Sequence, residues 1–368
     1  MRIAFDHKIF SQQKYGGPSR YFLKLFENIN SLEDNEAFIV SPIYNNAYLL
    51  KSKFKKNIHG IRIPKIKYFG LFNNLINNTR SKKIINNLKC QILHTTDYST
   101  LNSDCIRPLV VTVHDLIHEI FYKEFDKLED FRPKKEILKK ADHIICVSEN
   151  TKKDLIKYYP IDEKKISVIY HGNSFSKSEF IPSSIKFIKP KYKYFLYIGS
   201  RKRYKNFYKI IKAFKKRKEI YENYKLVCVG GGPLLASEKE RLIKDNFDIN
   251  KIILYPKNHD EILYELYKNA VALIYPSLYE GFGMPIIEAM SLGCPVIASN
   301  TSSLPEICDN NALSFSPYSE DELLDKMTDI INDKDLKNKI INSGLEHSSN
   351  FTWEKCTKET LSVYNRLI

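Results

Sequence analysis

The chain has 368 residues, 43% of them apolar or aromatic, which suits two domains that each bury a core and argues against a disordered protein. Its net charge is +15, from 58 basic and 43 acidic residues. Such a field attracts phosphates, and since no nucleic-acid-binding module is visible, the expected partners are a diphosphate ligand or an anionic surface, not nucleic acid. No run approaches about 18 apolar residues, so no transmembrane helix is expected, and seven scattered cysteines with no C-x-x-C pair argue against zinc and fit a reducing cytoplasm.

The N-terminal MRIAFDHKIF carries Asp6 within its apolar run and predicts a first strand, not a signal peptide. Further strands are expected at 37–41, 91–95, 109–114, 143–148 and 167–170, with helices at 18–30, 73–88, 132–140 and 149–158. Apolar strands separated by helices imply βαβ units and a parallel sheet covered on both faces. Residues 1–172 thus form a first α/β domain. From 173 to 193 the pattern lapses into a linker containing Pro182 and Pro190. It restarts with strands at 194–200, 225–230, 251–255, 272–276, 295–299 and 312–316, a second α/β domain over 194–350. The segment 351–368 holds one more helix.

The strand ends carry the chemistry. Tyr15-Gly16-Gly17-Pro18 opens a helix where glycine lets a backbone approach a ligand and the helix N-terminus favours negative charge. His114 and Asp115 close the strand at 109–114, with His118 a second candidate imidazole; Asp115 either orients His114 or caps the next turn. Arg201-Lys202-Arg203-Tyr204-Lys205 puts four cations in one turn, a phosphate clamp. Pro256, Lys257 and Asn258 follow another strand and are candidates for a base pocket. The most informative run is Glu280 to Glu288, EGFGMPIIE. It reads as a glycine turn and a helix N-terminus flanked by two carboxylates. The N–H groups of Phe282, Gly283 and Met284 are expected to point at an anion, and the carboxylates to accept hydrogen bonds from hydroxyls, as for a sugar joined to a diphosphate. Asp333-Lys334-Asp335 is the sole D-x-D. It follows no strand, Asp335 is expected to cap a helix, and no metal site is expected.

Taken together, FDHKIFSQQKYGGPSRYF, VVTVHDLIHEIF, ADHIICVSENTKKDL, ISVIYHGN, YIGSRKRYKNF, LVCVGGGP, EGFGMPIIE and FTWEKCTKETLSVYNRL resemble, in the same order, the retaining GT-B glycosyltransferases of family 4. The resemblance implies an α/β fold of two Rossmann-like, doubly wound domains facing across a cleft, with the C-terminal helix returning to the first. It implies transfer of a hexose from a nucleoside diphosphate sugar to a saccharide or lipid-linked oligosaccharide hydroxyl in surface polysaccharide synthesis. Mannose from GDP-mannose is the first expectation and a UDP-sugar the second. In the family the second Glu, here Glu288, receives the ribose, Glu280 lies nearer the transferred sugar, and His114 lies near its reacting centre. Gly16 and Gly17 close over the donor phosphates or the acceptor. Lys205 matches the family lysine, but Ser200 stands where the family places an arginine, so Arg201 or Arg203 takes that part. The basic groups replace a metal ion, and neither metal nor cofactor is expected. A GT-B-fold epimerase and a non-catalytic sugar-binding protein are the alternatives. Such acceptors sit on lipid at the cytoplasmic leaflet, and residues 51–72, rich in lysine and aromatics with no acidic residue, predict peripheral contact with an anionic membrane.

Overall fold

The computed structural model describes residues 1–64, 70–98, 108–122, 132–175, 190–201, 203–255 and 260–368, without the side chains of residues 70–72 and 74. Two compact units emerge: Met1–Gly172 with Trp353–Ile368, and Asn173–Thr352.

Unit 1 runs β1 (Arg2–Phe5), α1 (Lys8–Gln12), α2 (Gly17–Ile29), β2 (Glu36–Tyr44), β3 (Ile58–Arg62), α3 (Gly70–Asn87), β4 (Ile92–Thr95), β5 (Leu109–Val113), α4 (Ile117–Ile120), α5 (Arg132–Lys140), β6 (His143–Cys146), α6 (Glu149–Tyr158) and β7 (Ile166–Val168). Its parallel sheet has the order β3-β2-β1-β4-β5-β6-β7. Strands such as β5 and β6 are buried at every position, as expected where helices cover both faces. Val111, Val113, Ile144 and Cys146 pack there with Ile137 and Leu138 of α5 and Leu155 of α6. The edge strand β3 is not foreseen from the sequence. It lies inside the basic segment, where no apolar run announces it. Gly60 makes it possible, because a Cβ there would stand 1.7 Å from the Ser41 carbonyl oxygen.

Unit 2 runs β8 (Lys193–Ile198), α7 (Phe207–Lys216), α8 (Lys218–Asn223), β9 (Tyr224–Val229), α9 (Ala236–Lys244), β10 (Ile252–Tyr255), α10 (Asp260–Asn269), β11 (Leu273–Tyr275), α11 (Met284–Ser291), β12 (Val296–Ser299), α12 (Leu304–Cys308), β13 (Leu313–Phe315), α13 (Glu320–Asn332) and α14 (Lys334–Ser348). Its sheet, also parallel, has the order β10-β9-β8-β11-β12-β13. This is the strand order of a dinucleotide-binding sheet. The strands lie over a core of Phe195, Tyr197, Phe207, Phe214, Ile274 and Ile297.

The chain then returns to unit 1 as α15 (Trp353–Asn365), which packs on α2. Trp353 and Tyr364 are fully buried, and the Tyr364 hydroxyl lies 2.6 Å from Nδ1 of His94 in β4. Gly172 lies against Trp353, where a Cβ would come within 2.3 Å of the Trp353 nitrogen. Among the described residues no helix is long and apolar enough to cross a membrane.

Candidate active site

In an open parallel sheet, ligands settle beyond the carboxyl ends of the strands where the winding reverses. In unit 2 that point falls between β8 and β11. The turn after β8 delivers Lys205 and the turn after β11 delivers Glu280, and their side chains meet at 2.6 Å. Ser277 donates its hydroxyl to the same carboxylate oxygen at 2.5 Å. The Glu280 N–H donates to Ser302 Oγ, and Ser303 Oγ donates to the Glu280 and Phe282 carbonyls, all at 2.9 Å. The lysine ammonium also stands 5.6 Å from the centre of the Tyr275 ring. Burial, then the neighbouring Glu280 carboxylate, pushes the Tyr275 phenol well above its ordinary range. The two residues that the sequence offers separately, as clamp and as sugar contact, are therefore one ion pair on a rigid serine-built turn.

Gly283, at φ +115°, turns the chain into α11, with Pro285 in the first turn. That backbone suits glycine and leaves the helix N-terminus beside Glu280. Glu288, one turn further, is buried and accepts from Tyr267 Oη at 2.9 Å. Pro256, Lys257 and Asn258 lie outside the described residues, as does Lys202.

Of the two candidate arginines, Arg201 is bound into its own unit. Its Nε and Nη2 reach the two carboxylate oxygens of Glu238 at 2.8 and 3.1 Å, and Nη2 also donates to the carbonyls of Gly231, Gly232 and Pro233. The guanidinium holds the glycine loop after β9, whose three glycines all have positive φ. Arg203 is exposed and lines a hollow of about 370 Å³ with Asn206, Tyr208 and Arg241.

Unit 1 treats its own switch point differently. There Asp6, after β1, receives Thr95 Oγ1 at 2.6 Å, Thr96 Oγ1 at 2.5 Å and the Thr96 N–H at 3.1 Å. These bonds tie the end of β1 to the end of β4. His114, after β5, is ringed by Tyr21 at 5.2 Å, Phe22 at 5.8 Å and His171 at 5.6 Å. Its Nε2 is buried without a hydrogen-bond partner. Asp115 caps the next turn, accepting from the Ile117 N–H at 3.1 Å. Gly16 precedes α2 in an extended conformation with the Gln13 side-chain amide packed against it, whereas Gly17 faces open space.

Burial, then His114, lowers the pKa of His94 to about 3, and burial, then Lys134, lowers that of His114 to about 3. Unfolded histidines take up protons near about 6.5. Between these values the unfolded chain binds more protons than the folded one, so stability falls as pH drops from about 6.5 toward 3 and is level above that window. Urea midpoints for unit 1 should be lower at pH 5 than at pH 7.5; equal midpoints would contradict the two neutral imidazoles.

Among the described residues no group of three or more His, Cys, Asp or Glu side chains could hold a metal ion. Within the D-x-D it is Asp333, not Asp335, that caps a helix, accepting from the Leu336 N–H at 2.8 Å. Sequence reading missed Ser277, Ser302, Ser303 and Glu238. A serine in a turn looks like any turn residue, and only the fold brings the serines to Glu280 and Glu238 to Arg201.

Residues 15–174 match the family model "Glycosyltransferase Family 4", and residues 181–347 match "Glycosyl transferases group 1". The O-antigen chain mannosyltransferase RfbU of Salmonella typhimurium is 35% identical over 58% of this chain and 58% of its own length. The O-antigen chain mannosyltransferase B of Escherichia coli is 31% identical over 63% of this chain and 62% of its own. The chain thus spans about three-fifths of the length of these two relatives. The Anabaena protein Alr3699/HepE, solved with UDP and glucose, superposes with a TM-score of 0.75 at 15% identity, with 100% of both chains covered. With both domains matched in order on two sheets of this topology, the chain belongs to the GT-B glycosyltransferases that join a family 4 domain to a group 1 domain.

Proposed function

We propose that the chain is a retaining, metal-independent glycosyltransferase that moves a hexose from a nucleoside diphosphate sugar to a saccharide or lipid-linked oligosaccharide hydroxyl in surface polysaccharide synthesis. The observation that carries this is the Lys205–Glu280 pair astride the β8/β11 switch point, beside the N-terminus of α11. In this reading the diphosphate lies over Lys205, Arg203 and that helix end, the ribose hydroxyls reach Glu288, and Glu280 faces the departing sugar. As the glycosidic bond stretches, charge grows on the diphosphate and the fixed cations stabilise it. The acceptor attacks on the face being vacated, and the donor phosphate receives its proton. Neutral His114 offers a hydrogen bond to a sugar hydroxyl without carrying charge. The mannosyltransferase relatives support mannose, while the UDP and glucose in the Anabaena structure support a UDP-sugar as the competing donor.

Incubation with labelled GDP-mannose and UDP-hexoses and a mannosyl oligosaccharide tests the reading. Transfer with the anomeric configuration kept, undiminished in excess EDTA, is the expected result. Epimerised donor, binding alone, or activity lost in EDTA and restored by magnesium would each overturn it.

The same reading places the enzyme at the cytoplasmic leaflet. From Ala37 to Thr96 the chain has no acidic residue and eleven Lys or Arg. Lys51, Lys53, Lys55, Lys56 and Arg62 are exposed, with Leu50 and Ile61 exposed beside them. Tyr68 and Phe69 lie outside the described residues, as does the side chain of Phe72. Each basic residue near an anionic surface contributes about 1 kcal/mol. Co-sedimentation with phosphatidylserine vesicles at low salt, released at high salt and weakened by changing Lys53, Lys55 and Lys56 to Glu, is the expected outcome; equal pelleting with neutral vesicles refutes the membrane contact.

A further inference from the structure

Helix α5 turns residues 134, 137 and 138 inward, and Ala141 follows on the same face. Ile137, Leu138 and Ala141 are apolar and buried, and Lys134 is buried with them at 8% exposure. That spacing marks the apolar stripe of a helix, and lysine is almost never found there without a partner. The other lysines of α5, Lys135, Lys139 and Lys140, are exposed.

The Lys134 ammonium lies 2.7 Å from Glu119 Oε1 and 4.5 Å from the centre of the Tyr98 ring. Tyr159 donates to the same carboxylate oxygen at 2.6 Å, while Glu119 Oε2 is buried with no hydrogen-bond partner. A buried ion pair with an idle oxygen is a poor device for stability, because desolvation offsets most of its Coulombic gain. It has another effect. The same ammonium donates to the Asp115 carbonyl at 3.1 Å, on the residue that follows His114. No hydrogen bond holds His114 Nε2, and the rings of Tyr21, Phe22 and His171 bound it only by contact. The direction of the imidazole therefore depends on the backbone turn from which it projects.

We propose that Lys134 is the positioning residue for His114: by tying the Asp115 carbonyl to α5 through a buried ion pair, it fixes the turn that aims the imidazole. The inference rests on His114 belonging to the transferase site. The charged and titratable groups facing this region include Lys134 from α5, Glu119 from α4, Asp115 in the turn, His94 on β4, Asp97 and Tyr98 after β4, Cys146 on β6, Tyr159 after α6, Tyr21 on α2 and His171 after β7.

Lys134→Met alone leaves Glu119 charged and unpaired and risks unfolding. The test therefore uses the double variant Lys134→Met, Glu119→Gln, in which the amide still accepts from Tyr159. Circular dichroism establishes that it folds. Histidine NMR then follows His114, and steady-state kinetics follow transfer from the active nucleotide sugar. The expected result is a folded protein in which the nuclear Overhauser contacts of the His114 ring with Tyr21 and His171 change, beyond the upward titration shift that loss of the ammonium charge produces by itself. Transfer kcat should fall about ten- to a hundredfold at unchanged donor KM, the scale of a misplaced site group. A folded variant with wild-type His114 ring contacts would overturn the proposal. Changed contacts with unchanged kcat would support the tether and refute the place of His114 in transfer. If the wild-type chain transfers no sugar, the ring contacts of His114 in the NMR arm still decide the tether, and unchanged contacts overturn it.

Discussion

Alanine at position 205 is expected to lower kcat/KM for transfer by about 30- to 1000-fold, or about 2–4 kcal/mol, the usual cost of deleting one preorganised charge donor. The geometry adds a second cause. Lys205 is the ion-pair partner of Glu280 at 2.6 Å, so its loss leaves a carboxylate uncompensated beside the place proposed for the diphosphate. Donor affinity should fall along with kcat. Adding Glu280→Gln should recover part of the donor affinity but not kcat, because the repulsion disappears while the cation remains missing. The serines around Glu280 hold the turn independently of the lysine, so the single variant should fold normally. A folded Lys205→Ala protein with wild-type kcat/KM would remove Lys205 from the mechanism.

Trp353→Ala carries the largest expected loss of stability, about 3–5 kcal/mol for truncating a fully buried tryptophan. Trp353 is wholly inaccessible and makes ring contacts with Tyr21 at 6.0 Å and His171 at 6.1 Å. All these residues belong to unit 1. Calorimetry should therefore show the unit 1 transition moving down while the unit 2 transition moves little. As the one tryptophan in the chain, Trp353 gives the wild-type protein a fluorescence signal that tracks unit 1. An unchanged calorimetric trace for the alanine variant would refute the packing.

Periodicity made most of the fold readable. Short apolar runs such as Leu109–Val113 and His143–Cys146 suit strands buried on both faces, and the alternating helices then require parallel sheets. The E-x7-E run was legible because glycine, proline and spaced carboxylates have few other joint uses. Strand β3 was hidden because an edge strand need not be apolar, and His59, Gly60 and Arg62 interrupt this one. The fate of Arg201 was hidden for another reason. Adjacent basic residues look alike in sequence, and only the partner Glu238, 37 residues away, tells the anchoring arginine from the exposed Arg203. Lys134 escaped notice in the same way, since RPKKEILKK reads as a solvated basic helix until burial separates one lysine from the rest.

The placement of α15 affects how the protein comes to be made. The His94–Tyr364 bond joins residues 270 positions apart, with all of unit 2 between them. A chain emerging from the ribosome presents unit 1 first, yet α2 lacks the helix that packs on it until unit 2 has been synthesised. Unit 2 has its whole sequence in one stretch, Asn173–Thr352, and is free to fold before unit 1 is complete. Until α15 arrives, the apolar surface of α2 and the buried face of His94 stay open to chaperones and proteases. Unit 1 is thus begun first and finished last.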